Sequence, residues 1–178
     1  MLDTLLKDGI KQLTSALVHK KHPFRYFTFT TVSQDGSPHS RTVVLRGFDP
    51  EKFIFSIYTD SRSEKIKELN HDQRAEFLFY DPNQLLQLSV KVNLVHTKAS
   101  KEKFESLPEP SKKDYSSVQF PGTFVKAPDR IQYDFEKGHF VELHFVASQF
   151  EYLKLKRPNH LRARFYAERA WEGEFLAP

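Results

Sequence analysis

Residues 24–59, FRYFTFTTVSQDGSPHSRTVVLRGFDPEKFIFSIYT, decide the architecture. Two strand-like runs, 24–33 and 38–46, flank Gln34-Asp35-Gly36-Ser37, and Asp-Gly at such a position is a strong hairpin signal. A third run, 52–59, alternates Phe53, Phe55 and Ile57 against Ile54, Ser56 and Tyr58. Both of its faces are partly apolar, which predicts a strand covered on two sides. Outward from this block, Leu2, Leu5, Leu6, Ile10, Leu13 and Leu17 recur at three- and four-residue steps. That spacing predicts an amphipathic helix over 2–18, within an N-terminal segment of 1–20. Downstream, Ser61-x-x-Glu64 has the form of a capping box opening a helix over 61–70. Runs 74–80 and 84–97 around Asp81-Pro82-Asn83 form a second hairpin. A short helix over 100–107 stops at Pro108 and Pro110. Periodicity fades over 108–137, and strands return at 139–155, 160–168 and 171–176.

The 178 residues suit a single domain spanning 1–178. The apolar set is biased, with 17 Phe and 7 Tyr against 6 Gly, and aromatics favour half-buried pleated surfaces. The reading is mainly β (α+β): an antiparallel barrel or sandwich with peripheral helices. Absence of cysteine excludes disulfides, thiolate metal sites and cysteine nucleophiles, so any redox chemistry needs a borrowed cofactor. The net charge of +4 comes from 27 basic and 23 acidic residues that are well mixed, which argues against a nucleic-acid partner. No run of 18 apolar residues occurs and the N-terminus carries Asp3, Lys7, Asp8 and Lys11, so no membrane association and a cytoplasmic location are the default expectations. His139 and His144, five apart in one strand, face opposite ways, and no metal site is expected.

The most specific segments are SRTVVLRGFD (40–49) and IYTDSRSEKIKELN (57–70). The second joins a strand to a helix, whose N-terminal amides and dipole attract an anion. Ser61, Arg62, Ser63 and Lys65 surround that point, and Arg41 on the neighbouring run is suited to grip a phosphate. On these residues alone, a capped surface helix with a solvated Lys65 is an equal reading.

Several motifs then occur in one order: R-T-V-V-L-R, a Phe-rich strand ending in Tyr-Thr, Ser-x-Lys on a helix with a closing Asn, A-x-F-L-F, a downstream Gln, and a terminal HLRARFYAERAWEGEFLAP. This order resembles the pyridoxamine 5'-phosphate oxidase family over nearly all the chain after its first helix. The resemblance implies an antiparallel split β-barrel of the FMN-binding type, working as a homodimer with FMN at the subunit interface. It assigns Arg41 and Lys65 to the FMN phosphate, with Ser63 and Thr59 as smaller donors. Val43, Val44 and Tyr58 line the flavin, Arg46 stands where the family has a Lys near the ring, Gln87 reaches the ring edge, and Arg164 lies close to it. Arg41 and Arg46 have opposite parity, so either they face opposite sides of the strand or a bulge intervenes.

The departures concern mainly the substrate. Glu64 replaces a family Arg and is expected to turn back into the capping box, with Arg62 compensating. Leu153 replaces a Trp over the flavin. The Tyr, Arg and Ser that hold the substrate phosphate in the family correspond to Phe104, Pro108 and Lys112. The family's Arg-x-His appears as His160-x-Arg162, leaving these two as catalytic candidates. Ser111, Lys112, Lys113, Tyr115, Ser116, Gln119 and the Phe120-Pro121-Gly122 turn are candidates for a replacement pocket wall. The expected function is an FMN-dependent oxidoreductase acting on an unknown small molecule other than pyridoxamine phosphate. The alternative is a flavin-binding or carrier protein without turnover.

Overall fold

The computed structural model describes residues 1–136 and 138–177. Lys137, at the end of the irregular 108–137 segment, and Pro178, the last residue of the closing Leu-Ala-Pro, lie outside the described residues. The chain begins with α1 (Leu2–Val18). The first hairpin is β1 (Tyr26–Val32) and β2 (Pro38–Val44), followed by β3 (Gly47–Asp49) and β4 (Ile54–Asp60). Next come α2 (Glu64–His71), then β5 (Arg74–Asp81) and β6 (Leu86–Lys98). Two short helices, α3 (Lys101–Glu105) and α4 (Glu109–Lys113), precede β7 (Phe140–Lys154), β8 (Leu161–Tyr166) and β9 (Glu172–Phe175).

The Asp-Gly hairpin forms as expected. Ser33 donates its amide to the Ser37 carbonyl at 2.9 Å, the Asp35 carboxylate accepts from the Ser37 amide at 3.0 Å, and Gly36 takes φ +85°, open to glycine at little cost. The run read as one strand over 38–46 breaks after Val44. Leu45 donates its amide to the Arg25 carbonyl, while Arg46 donates to Ser56 of β4, so adjacent residues are tied to different walls.

Pairing runs β2-β1-β5-β6-β7-β4-β3, and all the strand pairs are antiparallel. The two ends of this path, β2 and β3, are joined by the chain at Leu45-Arg46 but are not paired, so the barrel is not closed. A second opening is set by β7. One edge pairs with β6 from Glu142 to Lys154; the other gives Phe140–Val146 to β4 and Gln149–Lys154 to β8. This is the antiparallel split barrel that the resemblance implies, and of the barrel or sandwich read from the residues it is the barrel.

Phenylalanines fill it. Phe27, Phe29, Phe55, Phe77, Phe79 and Phe145 alternate inward on their strands and are buried, with Phe27 and Phe79 stacked at 4.5 Å and Phe29 edge-on to Phe145 at 5.5 Å. α1 covers one end. Leu5, Gly9, Leu13 and Ala16 are its buried face, and Asp8 accepts a 2.8 Å hydrogen bond from the Tyr152 hydroxyl. Residues 108–136 are more ordered than their periodicity implies. Phe104, Tyr115 and Phe140 form a small second core on the outer face of the sheet, with Tyr58 and Leu107 packed against it. Through it, β4 is covered on both faces.

Gly9 permits the docking of α1, because a Cβ there would lie 2.5 Å from Cζ of the buried Phe150 ring. Gly9→Ala gains about 1 kcal/mol of helix propensity but overpacks a rigid contact costing about 1–3 kcal/mol. Net destabilisation is expected as a lower urea midpoint; a higher midpoint would show that the helix lifts freely.

Candidate functional site

The opening between β2 and β4 holds a cleft of about 270 Å³ lined by Thr42, Val43, Val44, Arg46, Tyr58, Thr59, Asp60, Ser63, Lys65, Asp114, Tyr115 and Pro121. Larger clefts lie beside Thr30 and Asn93 (about 400 Å³) and beside Phe104 and Phe135 (about 660 Å³), and none of the expected cofactor or catalytic residues lines either one.

Three elements build the site. β4 delivers Thr59 to the start of α2, where Lys65 Nζ donates to Thr59 Oγ1 at 3.0 Å and Ser63 Oγ lies 3.2 Å from the same oxygen. Among the described residues the Lys65 ammonium forms no ion pair within 4 Å, although it is partly buried. Burial and the nearby Arg41 charge hold its pKa below the ordinary lysine range, against the pull of Asp60 and Glu68. The Glu64 and Lys65 amides precede the first bond of the helix, from the Ile66 amide to the Ser63 carbonyl at 3.0 Å. A partly buried cation that meets only hydroxyls, beside a helix N-terminus, is a donor set suited to a phosphate.

The second wall is the crossing at Leu45-Arg46. The Arg46 guanidinium lies 5.3 Å from the Tyr58 ring centroid and beside the Tyr115 hydroxyl. Burial raises the Tyr115 pKa, and Arg46 partly offsets that rise. Tyr115, Asp114 and Pro121 form the third wall, so part of the 108–122 stretch does border the cleft. The other candidates there are occupied elsewhere: Lys112 Nζ holds Glu109 at 3.0 Å, Ser116 Oγ donates to the Lys112 carbonyl, and Lys113 sits over the Tyr133 ring.

Some expectations are corrected. Ser61-x-x-Glu64 is not a capping box. The helix starts at Glu64 with Ser63 as N-cap, Ser61 donates its amide to the His139 carbonyl, and Glu64 pairs with Lys67 at 3.1 Å in solvent. Asp60 takes over the turn, accepting from the Arg62 amide at 2.8 Å and its guanidinium at 2.7 Å. Arg62 therefore does not compensate for Glu64. Its remaining N–H groups reach the Ser117 and Val118 carbonyls and its plane covers Phe120, fastening the irregular segment to the start of α2.

Arg41 is also not in the cleft lining. β2 pairs with β1 without a bulge over Pro38–Val44, and Arg46 lies beyond the break at Leu45, so strand parity does not relate it to Arg41. Arg41 points inward to Glu68 Oε2 at 2.9 Å and to Thr31 Oγ1, with Phe29 under its guanidinium. Glu68, which the sequence reading missed, also bonds Thr31 Oγ1 and His39 Nδ1. A signal existed: Glu68 is one turn from Lys65, beside buried Leu69.

Gln87, Arg162 and Arg164 share the outer face of the other half of the sheet. Gln87 pairs with Leu153, Leu153 with Arg162, and Glu151 with Arg164. Glu151 binds both arginines, Oε1 to Arg162 Nε at 2.8 Å and Oε2 to Arg164 Nε at 3.0 Å. His160 lies in the preceding turn, where Nδ1 accepts from the Lys156 amide. None of these four lines the cleft of the same chain.

Residues 5–97, more than half of the chain, match the family described as pyridoxamine 5'-phosphate oxidase, FMN-binding domain. The chain belongs to this family. FMN is the cofactor of the matched domain. A pyridoxine/pyridoxamine 5'-phosphate oxidase of Leptospira interrogans is 33% identical over 135 residues, 75% of this chain and 58% of that protein. The chain thus matches little more than half the length of this oxidase. Two solved folds are similar over most of their length. A pyridoxamine 5'-phosphate oxidase-related, FMN binding protein of Nostoc punctiforme has a TM-score of 0.74 at 22% identity, covering 96% of each chain. PhzG of Burkholderia lata 383 has a TM-score of 0.75 at 20% identity, covering 98% of this chain and 91% of its own. No helix among the described residues is long and apolar enough to cross a membrane.

The Glu68 knot sets an acid limit. Burial alone would raise its pKa, but hydrogen bonds from Thr31, His39 and Arg41 and the Arg41 charge hold it below the ordinary range. The native state therefore favours the carboxylate. That stabilisation is complete above the unfolded value near about 4.3 and is lost as pH falls through the lower native value. The urea midpoint should fall on acidification below about pH 4, less steeply in Glu68→Gln; equal slopes would show that Glu68 contributes nothing to acid sensitivity.

Proposed function

We propose that this protein is an FMN-dependent oxidoreductase that works as a homodimer, with each flavin held between the cleft of one copy and the Gln87–Arg164 face of the other. The observation that carries the reading is Lys65, a partly buried ammonium at the N-terminus of α2 that has no ion pair among the described residues, inside a family whose matched domain binds FMN. Lys65, Ser63 and Thr59 take the phosphate, with Arg41 behind them. Val43, Val44 and Tyr58 provide the apolar wall for the ring. Two observations favour a second copy: Gln87 and Arg164 face away from the cleft of their own chain, and Tyr26, Leu78 and Tyr80 are exposed.

FMN when bound supplies a two-electron acceptor; the protein positions it and sets its field. Arg46, fixed against Tyr58 and Tyr115, brings positive charge to the ring wall, which favours the reduced cofactor. Arg164 brings a second charge, tempered by Glu151. On the substrate side, Phe104 is buried in the second core, Pro108 caps α4, and Lys112 is engaged by Glu109. The family's phosphate grip is therefore missing, and each lost charge-assisted hydrogen bond is worth about 1.5–3 kcal/mol. The substrate is a small molecule other than pyridoxamine phosphate.

Purified protein should be yellow. Lys65→Ala should weaken FMN about 10- to 100-fold while leaving riboflavin, which lacks the phosphate, unchanged in a fluorescence titration. Replacing Arg41 and Lys65 together should abolish FMN retention, and a colourless protein indifferent to added FMN would end the proposal. Mixed anaerobically, pyridoxamine phosphate should leave the visible flavin absorption intact. In a wider screen, substrate-driven bleaching faster than that of free FMN supports the enzyme, and its absence with every donor supports a carrier.

A further inference from the structure

Glu68 is the most buried charge next to the cleft, with 2% of its side chain exposed, and none of the assigned roles uses it. Both of its oxygens are taken: Oε1 by His39 of β2, Oε2 by Thr31 of β1 and by Arg41 Nη2 at 2.9 Å. The titratable and charged groups around it are Arg41 and the half-exposed His39 from β2 and Lys65 from its own helix.

This knot determines where the Arg41 charge sits. Apart from Glu68, Arg41 meets only the Phe29 ring and the Thr31 hydroxyl among the described residues, and without an anion there its guanidinium would turn to water. Glu68 instead holds it against α2, within electrostatic reach of Lys65 one turn earlier. The two cations repel, which is one reason Lys65 gives up its proton more readily than an ordinary lysine, burial being the larger. A doubly charged anion in the cleft relieves that repulsion.

We infer that Glu68 is a positioning residue that fixes Arg41 behind Lys65, so that the two cations act on a bound phosphate as one site. The inference rests on the reading of the cleft as an FMN site. The competing role, in which Glu68 only neutralises Arg41, has the opposite sign: removing a negative charge from the neighbourhood would then tighten phosphate binding.

The test is a fluorescence titration of flavin-stripped full-length protein with FMN and with riboflavin, for the wild type and Glu68→Gln. The wild type should prefer FMN. In Glu68→Gln the FMN dissociation constant should rise about tenfold or more while the riboflavin constant stays within about twofold. An unchanged or tighter FMN constant overturns the inference and leaves the cofactor reading standing. A wild type that does not distinguish FMN from riboflavin overturns the cofactor reading itself. Should Glu68→Gln fail to fold, Thr31→Val removes one hydroxyl from the same carboxylate and from Arg41. Its FMN-to-riboflavin preference should fall about threefold or more, and an unaltered preference would overturn the inference.

Discussion

The hydrogen bonds along one edge of β7 are divided between two partners, and the site follows from that division. Buried backbone amides and carbonyls must be paired, and β7 satisfies them with β4 over Phe140–Val146 and with β8 over Gln149–Lys154. Strands β4 and β8 therefore leave β7 in different directions. The β3–β4 side curls over the phenylalanine core, while β8–β9 extends the sheet and carries Arg162 and Arg164 outward. The chain must still pass from β2 to β3, and it does so with Leu45 bound to one wall and Arg46 to the other. An opening lined by a strand end, a helix start and two aromatic rings is the consequence.

Charge is sorted around that opening by what each ion already holds. Losing one partner of a buried pair costs about 3–5 kcal/mol, so ions engaged in such pairs are committed to structure. Arg62 is committed to Asp60 and to the Ser117 and Val118 carbonyls, while Glu68 fixes the direction of the Arg41 guanidinium. Lys65 and Arg46 have hydroxyls and rings as neighbours, which leaves their charge available to a ligand. The same sorting explains the second face, where one carboxylate, Glu151, sets the direction of both arginines.

Much of this was legible beforehand. The Asp-Gly hairpin, the leucine-striped α1 and the alternating Phe strands are local patterns, and local patterns survive folding when the core agrees with them. The capping box failed because Asp60, with a guanidinium from Arg62 to hold, outcompeted Ser61 for the turn. Periodicity fades over the 108–137 stretch because the order among its described residues comes from Tyr115 meeting Phe104 and Phe140, contacts without period in the sequence. The contact between Arg41 and Glu68 could not be read from spacing, since the two are 27 residues apart.

By itself the sequence determined the strand and helix order, the aromatic core, the lack of thiol chemistry and the motif order that places the chain in its FMN-binding family. These depend on period, composition and spacing, which a linear chain carries in full. Only the tertiary structure decided which cations are free and which are bound, because ion pairing depends on distance through space. Lys65 and Arg62 differ by three positions and look alike in sequence. One meets a hydroxyl at the mouth of a cleft and the other a buried carboxylate, and that difference makes one available to a ligand and the other part of the scaffold.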